Sequence, residues 1–133
     1  MKNKMTSTIT LMFLMAILGG YSYAQAETVS GEWVKKERKI SGMWTIEDRV
    51  DGAYLVLDEN FKTRKAPDLK FILSNQSIDS VTSKNAMEGA QVVALLQSTR
   101  GEQSYKLPDN YTDFSTLLLH CEQYSKLWGG TSL

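Results

Sequence analysis

Cys121 and His120 are the only cysteine and the only histidine in the 133 residues, and they are neighbours in the chain. A thiol reacts as its thiolate, and an unperturbed cysteine, with a pKa of about 8.5, is mostly protonated near neutrality. Reactivity at Cys121 therefore needs exposure or a positive neighbour, and the nearby candidates are His120 and Lys126. A lone cysteine also excludes a disulfide within the chain, a zinc ribbon, a C-x-x-C redox pair and a c-type haem attachment site. Any disulfide formed by Cys121 is mixed or intermolecular. The competing reading is a packing thiol, because free cysteine is among the most buried residue types. Both readings stay open at this level.

Haem would need an axial ligand and an apolar, aromatic pocket. Cys121 offers a thiolate, and His120, Met43 or Met87 offers a second ligand, although methionines are more often core filler. Successive strand residues point to opposite faces, so Cys121 and His120 can share one iron only across a bulge. A Ser-His-Asp triad would have to use His120, yet no serine sits in a G-x-S-x-G elbow, so a hydrolase has no catalytic pair. Asp48, Asp51, Asp58 and Glu59 lack a calcium-loop pattern and fall at hairpin ends, where aspartate makes turns. No metal site is expected.

The run Lys35-Lys36-Glu37-Arg38-Lys39, near Trp33 and Trp44, suits an anionic surface or polymer. It equally suits a strand edge guarded by charge. With 15 Lys+Arg against 15 Asp+Glu, a nucleic-acid binder is not expected. Asn75-Gln76-Ser77 and Asn110-Tyr111-Thr112 match the glycosylation pattern, which matters only in a eukaryotic secretory route.

The elements that must position these residues read as strands. Met43 to Asp48 alternates, and Ala53 to Asp58 follows Asp51-Gly52, a hairpin dipeptide. Pro67-Asp68 precedes a strand over 69–73. Ser74 to Gly89 is polar and poorly periodic, a long connection with a helical turn near Ala86. Gln91 to Gln97 and Ser104 to Leu107 flank Arg100-Gly101-Glu102 as a second hairpin. Ser115 to Cys121 and Ser125 to Trp128 complete an all-β, antiparallel sandwich or barrel of about seven to eight strands. Leu117, Leu119 and Cys121 share the face expected to be core. Thr116, Leu118 and His120 share the other, which points outward or against a flanking loop.

Lys2 and Lys4 precede an apolar run from Ile9 to Leu18 and small residues at Ala24-Gln25-Ala26, the layout of a secretory signal peptide cleaved after Ala26. The apolar block is about half of the ~20 residues a spanning helix needs, which disfavours an uncleaved anchor. The expectation is a leader over 1–26 and one domain over 27–133. That domain is periplasmic or secreted and has no membrane contact after cleavage.

Three motifs resemble the DM13 electron-transfer domain family, which occurs in animal cell-surface proteins and as small exported bacterial proteins. They are Phe61-Lys62-Thr63 leading to Pro67-Asp68-Leu69 and Leu73-Ser74; Gly101 to Pro108, similar to the family's G-x-Q-x-Y-x-L-P; and Leu117 to Cys121 followed by Tyr124-Ser125 and Trp128-Gly129. Ala66 and His120 depart from the usual glycine and tryptophan. The resemblance implies a β-sandwich whose cysteine, here Cys121, acts in electron transfer as a free thiol or as the ligand of a prosthetic group such as haem, with His120 beside it. The partner would be another exported or cell-surface protein. The alternative is a non-catalytic binding or adhesion module in which Cys121 only packs.

Overall fold

The computed structural model describes residues 28–133, so the expected leader lies outside the described residues. The strands are β1 (Val29–Glu32), β2 (Val34–Lys35), β3 (Met43–Arg49), β4 (Gly52–Leu57), β5 (Leu69–Ser74), β6 (Gln91–Leu95), β7 (Gln103–Lys106), β8 (Thr116–Cys121) and β9 (Lys126–Ser132). They form a four-stranded sheet ordered β1-β3-β4-β7 and a five-stranded sheet ordered β2-β9-β8-β5-β6. Every pairing is antiparallel.

Alternation sends one side of each strand into the space between the sheets. Trp44, Ile46, Leu55, Leu57 and Tyr105 come from the first sheet. Leu69, Phe71, Leu73, Leu117, Leu119, Cys121 and Trp128 come from the second, and all belong to one buried cluster. Trp33 links β1 to β2 where the chain passes from one sheet to the other. Its ring lies 5.9 Å from Phe71 and 6.4 Å from both Trp44 and Phe61. Phe71 meets Tyr105 edge-on at 5.1 Å, so the aromatic core bridges both sheets.

The expected strands are all present, and β1 and β2 are additional. Both are short edge strands with mostly exposed side chains, so they carry no alternation to read. The basic run starts at the last residue of β2, and Lys36 and Arg38 donate their backbone N–H groups to Trp128 O at 3.0 and 3.1 Å. It is a charged sheet edge.

The second expected hairpin is corrected. β6 pairs with β5 and β7 with β4, so the chain between them crosses from one sheet to the other. Side chains of the G-x-Q-x-Y motif hold that crossover. Gln103 Nε2 donates to Ser98 O at 2.8 Å and Gly101 O at 3.1 Å, and Gln103 Oε1 accepts from Ser98 N–H at 3.1 Å. Tyr105 donates its hydroxyl to Gln103 Oε1 at 2.6 Å and accepts from Gln97 N–H at 2.8 Å. Gln103 and Tyr105 are buried, so these bonds tie the crossing backbone to side chains anchored in the interior.

Residues 75–90 contain turns and no helix, contrary to the helical turn expected near Ala86. They fold back over the outer face of the five-stranded sheet. Val81 and Ala86 pack on Ile72, Leu118 and Leu127 as a second, smaller cluster. Thr116 Oγ1 donates to Gln76 O at 2.6 Å, and Ser83 Oγ accepts from Leu127 N–H at 2.9 Å. β8 is thereby covered on both faces, and its six residues are all buried.

Two glycines allow close approaches. Gly42 has φ +91° and faces the backbone of Phe61, where a Cβ would lie 2.7 Å from Phe61 N. A Cβ on Gly130 would lie 2.6 Å from Leu117 O.

Gln103→Leu is expected to lower unfolding stability by about 1–3 kcal/mol, the cost of leaving buried partners unsatisfied. Urea denaturation at constant m-value measures it. A change under a few tenths would show that the crossover does not depend on this side chain.

Candidate functional site

Cys121 ends β8, opposite Leu69 of β5 and Lys126 of β9. It has no exposed surface and belongs to the main core cluster. Lys126 is therefore brought level with it, as the sequence allowed. Leu69, its other neighbour, lines a recess of about 380 Å³ with Ala66, Pro67 and Leu96, but Cys121 is not among the walls.

His120 lies on the opposite face, level with Lys70 of β5 and Leu127 of β9. The register of β8 shifts between Leu119 and His120, but only against β9, where Trp128 is the extra residue. Pairing of β8 with β5 runs unbroken from Thr116 to Cys121. The bulge therefore turns β9, and the alternation of β8 keeps His120 and Cys121 apart.

His120 is 2% exposed and its Nδ1 has no hydrogen-bond partner. Burial pushes its pKa below the ordinary histidine value. Glu122 and Asp68 oppose that shift, while Lys70 adds to it.

The residues do not fit the haem that the resemblance suggests. Cys121 is not among the walls of the recess beside Leu69, and His120 is on the far side of the sheet. Met43 is exposed on β3 in the other sheet, and Met87 packs on the small outer cluster. Among the described residues, no group of three or more His, Cys, Asp or Glu could hold a metal ion. Asp51 and Asp58 serve their turns, accepting from Tyr54 Oη at 2.7 Å and Asn60 N–H at 3.1 Å.

A feature not legible in the chain is a clasp on the turn that follows Cys121. Lys70 Nζ sits 2.7 Å from Glu122 Oε2 and 3.3 Å from Asp68 Oδ1, and its pKa is raised chiefly by the Glu122 bond. Asp68 Oδ2 accepts from Gln123 N–H at 3.0 Å. The turn closes with Ser125 N–H donating to Glu122 O at 3.0 Å, and Ser125 holds a left-handed φ of 49°. Glu122 is 54% exposed, so water screens its share of the ion pair. Asp68 comes from the Pro-Asp-Leu motif, but the turn it holds through Gln123 lies over fifty residues away and no local pattern signals it.

A base whose folded pKa is depressed stabilises the fold only in its neutral form. That contribution is complete above the unfolded value of about 6.5 and is lost as pH falls through the lowered folded value. Stability should therefore decline from about pH 7 towards pH 5, and His120→Phe should flatten that decline in denaturation curves. The same slope in both proteins would place the titration elsewhere.

Neither curated proteins nor solved structures gave a match to the chain. The family described as "Electron transfer DM13" matches residues 32–133, which takes in every element from the end of β1 to β9. The match includes the crossover motif, the clasp and the buried cysteine. By that match, the chain belongs to the electron transfer DM13 family.

Proposed function

We propose that this is an exported redox domain in which Cys121 is a guarded thiol. The family's description supports a role in electron transfer. The position of Cys121 supports the guard, since the thiol has no exposed surface while the next four residues, Glu122 to Ser125, are all exposed. Local opening draws on such strand ends, where few buried contacts need to break. Releasing the turn from its clasp uncovers the sulfur without dismantling the sandwich.

The chemistry is exchange. The Cys121 thiolate attacks one sulfur of a partner's disulfide, a mixed disulfide forms, and the partner's other sulfur leaves as thiolate. The chain has no second cysteine, so a thiol of the partner must resolve the intermediate.

The second reading is a binding or adhesion module in which Cys121 only packs. It is favoured by the complete burial of the thiol and its place in the main cluster.

Reaction with an aromatic disulfide reagent separates the two, read as the rate of thiol labelling against denaturant. A guarded thiol is labelled through a local opening faster than the protein unfolds, and Lys70→Met, which removes the clasp cation, raises that rate several-fold. Labelling that tracks global unfolding at every denaturant concentration, in both proteins, would leave only the packing role.

Substitution gives an independent readout. Cys121→Ala should cost about 1 kcal/mol as a small cavity, and Cys121→Ser somewhat more for a buried hydroxyl. In a folded Cys121→Ala protein, the guarded-thiol reading expects loss of mixed-disulfide formation with exported partners. Unchanged capture of those partners would support the binding module.

A further inference from the structure

The basic run that starts at the end of β2 is part of a larger cationic surface that the fold assembles. Residues 39–41, 62–64 and 99–101 lie side by side at one end of the sandwich. Ser41 and Lys62 exchange backbone bonds at 2.9 and 3.2 Å, Thr63 N–H donates to Thr99 O at 3.0 Å, and Lys62 bridges to Arg100. Thr63 Oγ1 ties to Lys39 O at 3.0 Å, and Trp128 Nε1 ties to Arg64 O at 3.2 Å. Arg38 sits over the Trp128 ring at 5.6 Å. Arg38, Lys39, Lys62, Arg64, Lys65 and Arg100 thus converge from three separate stretches of chain.

None of these cations takes part in an ion pair among the described residues; the pairs there use Arg49, Lys70 and Lys106. Between them lies a recess of about 220 Å³ lined by Lys39, Ser41, Lys62, Thr63 and Arg64. The nearby acids Asp58, Glu59 and Glu102 line a different recess, with Thr45 and Asn60. A chain with equal numbers of acidic and basic residues therefore gathers six cations outside any ion pair among the described residues around this recess.

We infer that this surface, with the Lys39–Lys62–Arg64 recess at its centre, binds a linear anionic polysaccharide carrying sulfate or carboxylate groups. The recess accepts one acidic group between two ammonium groups, a guanidinium and the Ser41 hydroxyl, the Thr63 hydroxyl being already committed to Lys39 O. The flanking Arg38, Lys65 and Arg100 need further charges at intervals, which a repeating polyanion supplies and a single small anion does not. A membrane surface is disfavoured because no exposed large apolar side chain belongs to these three segments, whereas interfacial binding inserts apolar groups beside the cations. A single-stranded nucleic acid would want aromatic platforms. Here Trp44 and Trp128 are buried, and Trp33 is stacked into the core.

The test uses heparin as the sulfated probe and alginate as the carboxylated one, with the purified protein titrated at several salt concentrations. The triple variant Lys39→Ala, Lys62→Ala, Arg64→Ala is compared with Arg49→Ala, Lys84→Ala, Lys106→Ala, which removes equal charge elsewhere. The expected result is salt-sensitive binding to at least one glycan, weakened tenfold or more by the first triple and less than twofold by the second. Thermal melting confirms that each variant folds. If the first triple does not fold, Arg64→Gln alone should weaken binding at least twofold. Equal losses in both triples, absence of binding at low salt, or tighter binding to duplex DNA or anionic vesicles than to either glycan would each overturn the assignment.

Discussion

The structure depends on one strand having no face open to water. β8 is sandwiched between the intersheet core, which takes Leu117, Leu119 and Cys121, and the folded-back segment 75–90, which takes Leu118, and all six of its residues are buried. A strand buried on both sides must satisfy every backbone group through its neighbours, and β5 and β9 provide that on either edge. The lone thiol and the lone imidazole inherit their environments from this arrangement. The thiol lies among hydrocarbon, and the imidazole is desolvated with one nitrogen unpartnered.

Much of the fold was legible in the chain, because period-two alternation in β3, β4 and β5 and the Asp51-Gly52 turn express local physics. β1 and β2 were not legible, since an edge strand with exposed side chains has no pattern. The crossover at residues 96–102 was misread as a hairpin for a related reason. Turn residues reveal that a chain bends, but not which sheet the next strand joins. The choice here is made by Gln103 and Tyr105, whose side chains bind the crossing backbone. The site was legible only as identities. The opposite facing of Cys121 and His120 follows from strand geometry, whereas burial of both faces depends on a covering segment that looked like an ordinary loop.

Several residues of the three resemblance motifs are architectural. Gln103 and Tyr105 tether a crossover, Asp68 caps the turn beyond β8 through Gln123, and Trp128 is the extra residue of a bulge. Trp33 and Trp44, which lie near the basic run suited to an anionic surface or polymer, belong to the aromatic core. Their buried indole N–H groups lack partners. The cations near them in sequence are left to act by charge alone.

Complete burial of the only sulfhydryl also has a temporal meaning. An unfolded chain presents its thiol openly to other thiols and oxidants only until Leu69 meets Cys121, a contact spanning half the domain. Closure of such a distant pair is slow relative to local turns. The hazard of unguarded cross-linking therefore belongs chiefly to the interval before folding, since the finished sandwich leaves the sulfur no exposed surface.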